Sequence, residues 1–261
     1  MRIVHCQTHE PNAMPFYAQI EGDDLTPLAT SPFSDHIRLH AGQRRGLSEV
    51  RLLPPIIPSK VVAIGRNYRE HVKEMGGAAP PAEPLIFLKP SSAVIGPGEP
   101  IRLPSISERV DHEAEMALVI RRKCRRVSET EAPSVILGVT ALNDVSARDL
   151  QRSDGQWTRA KGFDTFCPIG PALALGLDPG HLRVCSRVNG EIRQDSNTDQ
   201  MIFNPARLIA FVTSVMTLYP GDVIATGTPA GVGPLKPGDT VEVEVEGVGV
   251  LSNPVVADAD A

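Results

Sequence analysis

The 261-residue sequence predicts a β-rich α+β protein with a small N-terminal domain, and three features carry that prediction. Val241-Glu-Val-Glu-Val245 alternates strictly, the pattern of a strand with one wet face. Met116-Ala-Leu-Val-Ile120 and residues 134–141 are short apolar runs, the second rich in β-branched side chains, as buried strands require. Residues 206–218 have the spacing of an amphipathic helix, with Leu208, Ile209, Phe211, Val212, Val215 and Met216 as its buried face.

The elements follow in order. Residues 1–54 read as the small domain: strands over 2–6 and 16–20, a turn over 21–24, then a polar stretch to Glu49. Leu52-Leu-Pro-Pro-Ile-Ile-Pro58 cannot be helical, because each proline fixes φ and biases its predecessor to extended backbone, so it reads as a linker. Residues 55–261 form the larger domain. Val61-Val-Ala-Ile64 is a short buried strand, and a helix follows with Asn67 as its cap, Glu70 in capping-box relation and Gly76-Gly77 as its stop. Strands are expected over 85–88 and 93–95, with a turn at Gly96-Pro-Gly98, and then over 113–121. The 134–141 strand delivers Asn143 and Asp144, residues 146–153 make one or two helical turns, and Pro237-Gly-Asp239 turns the chain into the alternating strand.

Composition excludes several function classes. A formal charge of −5 with acidic and basic residues interspersed leaves no polybasic face, so neither nucleic acid nor an anionic membrane is an expected partner. Cys6, Cys124, Cys167 and Cys185 are scattered, without zinc-ligand spacing, and read as free thiols of a reducing compartment. The N-terminus lacks a leader pattern and no segment approaches the ~20 apolar residues of a bilayer span, so a soluble, cytoplasmic protein is expected.

Glu113 and Glu115 are two apart on an expected strand and so point the same way, directly before an apolar run. With Asp144 brought near, the three carboxylates would resist ionisation unless a cation compensated them. All-oxygen ligation suits Mg²⁺ or Mn²⁺. The alternative places both glutamates on the wet face of an edge strand. That is the reading given to Glu242 and Glu244, which share the spacing but lack an accompanying aspartate or histidine constellation. His71 and Glu74 fall on one helix face, where a carboxylate orients an imidazole and raises its basicity, a pair able to deprotonate water; the alternative is an exposed helix pair. Flanked by glycines and followed by Ala-Ala-Pro-Pro-Ala, this short helix reads as a lid. Lys161 sits among small and aromatic residues, suited to a substrate carboxylate or an enolate, or else it lies on the surface. The glycine-rich stretch over 226–233 lacks the lysine of a nucleotide loop, but its amides and Thr228 could hold a carboxylate.

Gly65-Arg-Asn-Tyr68, His71-x-x-Glu74, Phe87-Leu-Lys-Pro90, His112-Glu-Ala-Glu115, Asn143-Asp144, Ser146-Ala-Arg-Asp149, Lys161-Gly-Phe163, Val188-Asn-Gly190 and Thr226-Gly-Thr-Pro229 occur in that order. Over residues 55–254 the chain resembles the fumarylacetoacetate hydrolase family, its short acylpyruvase-like, oxaloacetate-decarboxylase-like and hydroxyhepta-diene-dioate-isomerase-like members above all. The resemblance implies a mixed β-sandwich roll and a divalent metal, Mg²⁺ or Mn²⁺, on Glu113, Glu115 and Asp144. It also implies a water-activating pair at His71 and Glu74, catalytic and substrate-binding roles for Lys161, and substrate contacts at Arg66, Tyr68 and Thr228. It further implies a keto-acid substrate of aromatic catabolism and a homodimer. The expected reaction is carbon–carbon hydrolysis of 2,4-diketo acids through a metal-bound pyruvate enolate, because only hydrolysis needs an activated water. Decarboxylation of an oxaloacetate-type acid or isomerisation of a hydroxyhepta-diene-dioate is the alternative.

Overall fold

The structure is a computed structural model describing residues 1–76 and 79–258. The chain opens with β1 (Arg2–Thr8), β2 (Phe16–Glu21), β3 (Asp24–Pro27), β4 (Arg45–Gly46) and β5 (Val50–Leu53). Then come β6 (Val61–Gly65), helix α1 (Arg69–Glu74), β7 (Leu85–Lys89), β8 (Val94–Ile95), β9 (Ile101–Leu103), β10 (Val110–His112) and β11 (Ala114–Ile120). β12 (Ile136–Asn143), β13 (Ser146–Ala147), α2 (Arg148–Asp154), α3 (Thr158–Lys161) and β14 (Cys167–Ala174) follow. β15 (Arg183–Val188), β16 (Glu191–Asn197), α4 (Pro205–Val215), β17 (Val223–Ala225), β18 (Gly233–Pro234), β19 (Thr240–Val245) and β20 (Gly249–Ala257) complete it.

A mixed sheet of 12 strands runs β4-β3-β2-β1-β14-β12-β11-β17-β6-β7, with β5 on β1 and β8 on β14. A second sheet, β16-β15-β19-β20-β9, packs on one face of it, and β13-β10-β18 form a small third one. Met116, Leu118 and Ile120 of β11 point into the layer between the two large sheets, beside Val184, Val243, Val245 and Leu251. Ala117 and Val119 point the other way, into a second cluster with Val61, Leu142, Ile169 and Val223. Both faces of β11 are therefore dry, which is why its sequence is continuously apolar rather than alternating. β19 keeps its alternation, with the valines buried and Glu242 and Glu244 half-buried. Glu244 pairs with Arg187 at 2.8 Å.

Several expected boundaries move, each for a local reason. The expected 113–121 strand is β11, which starts one residue later, leaving Glu113 at the joint with the preceding β10. The 134–141 strand starts two residues later, because Pro133 lies in a short 3₁₀ turn over Ala132–Val135. Asn67 does not cap α1; Tyr68 takes that position without a side-chain bond. Buried Asn67 ties three segments together instead, donating to Phe203 O (3.1 Å) and Thr226 O (2.7 Å) and accepting from Phe203 N (2.8 Å). Glu70 pairs with Lys73 at 2.7 Å. The expected stop at Gly76-Gly77 is half visible: Gly76 adopts a left-handed φ of 76°, and Gly77 lies outside the described residues. In α4, Asn204 caps by accepting from Arg207 N at 2.9 Å, with Pro205 at the first position. Of its expected face Leu208, Ile209 and Val212 are buried, Phe211 and Met216 are half-buried, and Val215 is exposed.

The residues before the prolines of the expected linker belong to β5, which pairs with β1. β1 in turn pairs with β14, Arg2 against Ala174 and Ile3 against Leu173, so the N-terminal strands continue the main sheet.

Candidate active site

Antiparallel register assembles the carboxylates. β11 and β12 pair with Glu115 opposite Leu142 and Ala114 opposite Asn143. Continuing the ladder by one residue sets Glu113 against Asp144, whose N–H donates to Glu113 O at 2.9 Å. Side chains opposite one another share a face, so Glu113, Glu115 and Asp144 converge just beyond the strand ends. Asn143 fixes the joint by accepting from Glu113 N at 2.9 Å.

One ligand oxygen from each carboxylate lies within 4.8 Å of the others, and all three residues are buried. Their electrostatics differ. Lys161 Nζ donates to Glu113 Oε2 (2.8 Å) and Asp144 Oδ2 (2.6 Å), and Lys89 Nζ to Asp144 Oδ1 (2.6 Å). Arg148 Nη2 approaches Glu113 Oε1 at 2.5 Å, while its Nε donates to Asp111. Burial works against the Glu113 carboxylate, yet Arg148 and Lys161 hold it well below the usual range. Glu115 has no cationic partner among the described residues and accepts only from Gly227 N at 2.7 Å. Burial, with Asp144 and Glu113 adding to it, pushes its carboxyl well above the usual range. A cluster of hard oxygens with one carboxylate uncompensated fits a divalent cation, and the three could hold one.

A cavity of about 210 Å³ opens onto this cluster. Arg66, His71, Phe87, Arg148, Trp157, Lys161 and Thr228 line it with the three carboxylates. His71 is buried, with Nδ1 3.1 Å from Glu74 Oε2, which leaves Nε2 as its free nitrogen. The helix expected to act as a lid is α1, and part of the stretch expected to flank it, Gly77 and Ala78, lies outside the described residues. Thr228 donates to Ala114 O (2.9 Å) and accepts from Gln194 (2.7 Å). Gly227 can approach Glu115 because it has no Cβ, which would lie 2.6 Å from that of Asn67. Tyr68 is placed apart from the other expected substrate contacts. Its buried ring lines a neighbouring depression with Arg69, Asp195 and Pro229.

Sequence reasoning left several side chains here without a role: Lys89, Arg148, Gln151, Arg152 and Trp157. A signal for Lys89 existed, a lysine closing the apolar run Leu85-Ile-Phe-Leu. Arg148, Gln151 and Arg152 show the i, i+3, i+4 spacing of one helix face.

A β-rich sandwich with buried carboxylates and lysines converging at strand ends under a histidine is the frame of a small-molecule enzyme. The model of the fumarylacetoacetate (FAA) hydrolase C-terminal domain matches residues 60–256, and the chain belongs to the fumarylacetoacetate hydrolase family. The solved 5-carboxymethyl-2-hydroxymuconate delta-isomerase from Mycobacterium smegmatis is 47% identical, with a TM-score of 0.90 over 99% of this chain and 100% of that one. Mitochondrial oxaloacetate tautomerase FAHD2B of Homo sapiens is 48% identical over 80% of this chain and 70% of its own. Maleylpyruvate hydrolase from Sphingobium sp. SYK-6, solved with manganese(II) and pyruvate, is 30% identical, with a TM-score of 0.80 over 98% of this chain and 99% of that one. The family thus includes hydrolases and isomerases, and no helix among the described residues is long and apolar enough to cross a membrane.

Proposed function

We propose that this chain moves a proton at the carbon beside the keto group of a small 2-oxo acid, interconverting keto and enol forms or shifting a double bond. The observation that carries the reading is His71, held by Glu74, in the same cavity as Glu113, Glu115 and Asp144. The likeness to an oxaloacetate tautomerase and to a muconate isomerase supports it.

Glu113, Glu115 and Asp144 would hold Mg²⁺ or Mn²⁺, which when bound supplies the Lewis acidity that polarises a keto oxygen. His71 Nε2 takes the proton from the substrate carbon and returns it, while Glu74 balances the imidazolium that forms. Lys161 donates to negative charge developing on the substrate oxygen. Phe87, Met75 and Trp157 wall the cavity and exclude competing water.

The same pair supports a second reading, hydrolysis of the carbon–carbon bond of 2,4-diketo acids, in which His71 takes its proton from water rather than carbon. The carboxylate beside the imidazole favours it, as does the likeness to maleylpyruvate hydrolase. Purified protein with Mn²⁺ is given oxaloacetate, acetylpyruvate and fumarylpyruvate, with the enol absorbance followed and products separated by chromatography. Enol–keto relaxation without pyruvate supports the first reading. Pyruvate from the acylpyruvates supports the second, and carbon dioxide from oxaloacetate marks decarboxylation. No change in any of the three acids sinks them all. The reading takes the working unit to be a homodimer, and a monomeric mass by sedimentation at micromolar concentration would contradict that.

A further inference from the structure

We infer that the loop over 121–126 is an anion site that takes two linked phosphates, as free pyrophosphate or as the tail of a nucleotide. The chain is acidic overall, yet Arg121-Arg-Lys-Cys-Arg-Arg126 places five cations in six residues, an exception to the interspersed charge of the rest. None of the five makes an ion pair among the described residues. The backbone holds them together all the same: Arg121 N donates to Val135 O (2.8 Å), Cys124 N to Leu218 O (3.0 Å) and Arg126 N to Thr213 O (2.9 Å). Arg126 sits at a left-handed φ of 55°, which glycine or asparagine adopts at less cost. A cation is thus held where the backbone alone favours another residue.

Charge decides what the loop can take. Arg122, Lys123, Arg125 and Arg126 surround a shallow hollow of about 290 Å³. Arg125 is committed to the end of α4, donating to Thr213 O, Ser214 O (2.8 Å) and Val215 O (3.3 Å). Arg122 spends one N–H on Ser134 Oγ (2.9 Å), and Lys123 Nζ lies 5.7 Å from the centre of the Tyr219 ring. The acids that follow the loop are engaged elsewhere: Glu131 accepts from Ser128 N (3.1 Å) and Oγ (2.6 Å), and Glu129 faces Arg207 at 3.6 Å. Arg122, Lys123 and Arg126 therefore share one concavity with their charge unmet. A single phosphate, at about −1.5 to −2, leaves part of that charge over, whereas two linked phosphates meet it, and guanidinium forks match their oxygens pairwise. A long polyanion fits less well, because Glu129 and Glu131 are exposed beside the loop and the chain as a whole carries −5. β11, seven residues and roughly 24 Å long at ~3.4 Å per residue, separates the loop from Glu113, so the site is independent of the 2-oxo acid reading.

The purified full chain, chelator-treated so that no metal complexes form, is titrated by calorimetry with pyrophosphate and with ADP, and with sulfate as the single-anion control. Both probes should bind more tightly than sulfate. ADP binding more tightly than pyrophosphate assigns a nucleotide, and the reverse assigns free pyrophosphate. Arg122→Gln combined with Arg126→Gln should weaken both probes roughly 10- to 100-fold, the range for losing charge-assisted contacts, and leave the Tm increase given by Mn²⁺ unchanged. Peptide mapping of the wild type needs no variant: pyrophosphate should protect Arg122 and Arg126 from phenylglyoxal, while exposed Arg66 goes on reacting. Affinity no better than for sulfate, affinity unchanged in the folded double variant, or unprotected arginines overturns the site. Tighter binding of single-stranded RNA or phosphatidylserine vesicles than of either probe overturns it too, since the loop would then serve an extended polyanion.

Discussion

Glu74 is clasped by Gly231: its Oε1 accepts the Gly231 backbone N–H at 2.9 Å, while its Oε2 lies 3.1 Å from His71 Nδ1. One carboxylate therefore closes α1 onto the 226–233 loop and orients the imidazole. Gly231 sits at φ +99°, and a Cβ there would lie 2.1 Å from Arg193 O. Gly231→Ala should displace the loop, release Glu74 and lower kcat by about tenfold or more, as loss of base positioning does. An unchanged kcat would show that the clasp is dispensable.

His71→Ala separates proton transfer from metal binding. Keto–enol exchange or acylpyruvate hydrolysis should fall roughly 10²–10⁴-fold, the range for a positioned base. Mn²⁺ affinity by calorimetry should stay the same, and oxaloacetate decarboxylation should suffer less because it needs no base. Loss of metal affinity would make His71 a ligand rather than a base.

The carboxylates should respond unequally to neutralisation. Glu115 lacks a cationic partner, so Glu115→Gln should leave the Tm of chelator-treated protein unchanged or raised while removing the Tm increase given by Mn²⁺. Asp144 is gripped by Lys89 and Lys161. Asp144→Asn strands buried positive charge and should cost about 3–5 kcal/mol. Equal destabilisation by the two variants would contradict this division of charge.

Thiol chemistry gives a separate check on burial. Burial pushes the thiols of Cys6 and Cys167 up to about 12, so at pH 8 roughly one in 10⁴ is ionised. Cys124 is half-buried, and its thiol is raised by burial as well. Iodoacetamide should modify Cys124 first in the native protein, with Cys6 and Cys167 reacting only on unfolding. Peptide mapping that finds Cys167 labelled as fast as Cys124 would refute the placement.

The carboxylate cluster was legible because strand parity fixes faces: Glu113 and Glu115 had to share one, and an apolar run had to follow them inward. Lys161 was named as a candidate there as well, but the grip of the lysines on Asp144 was not legible. Lys89 and Lys161 reach Asp144 from elements 55 and 17 residues away in sequence. No periodicity reports such a meeting. Asn67 shows the opposite error. Its spacing from Glu70 suggested a local cap, but tertiary bonds to Phe203 and Thr226 claimed its side chain. The alternating Glu242 and Glu244 were assigned correctly because no third acidic group accompanied them. Choosing between hydrolysis and isomerisation was beyond the sequence, since both draw on the same His71, and decarboxylation shares the carboxylates with them.

The seam between β1 and β14 makes the first strands a guard on assembly. A chain trimmed to begin after Pro54 would turn the Leu173 and Ala174 stretch of β14 into an open edge of the main sheet, with its amides and carbonyls bare. Such an edge is a template for another chain, so shortened versions should be lost to aggregation during expression before any catalytic residue is disturbed.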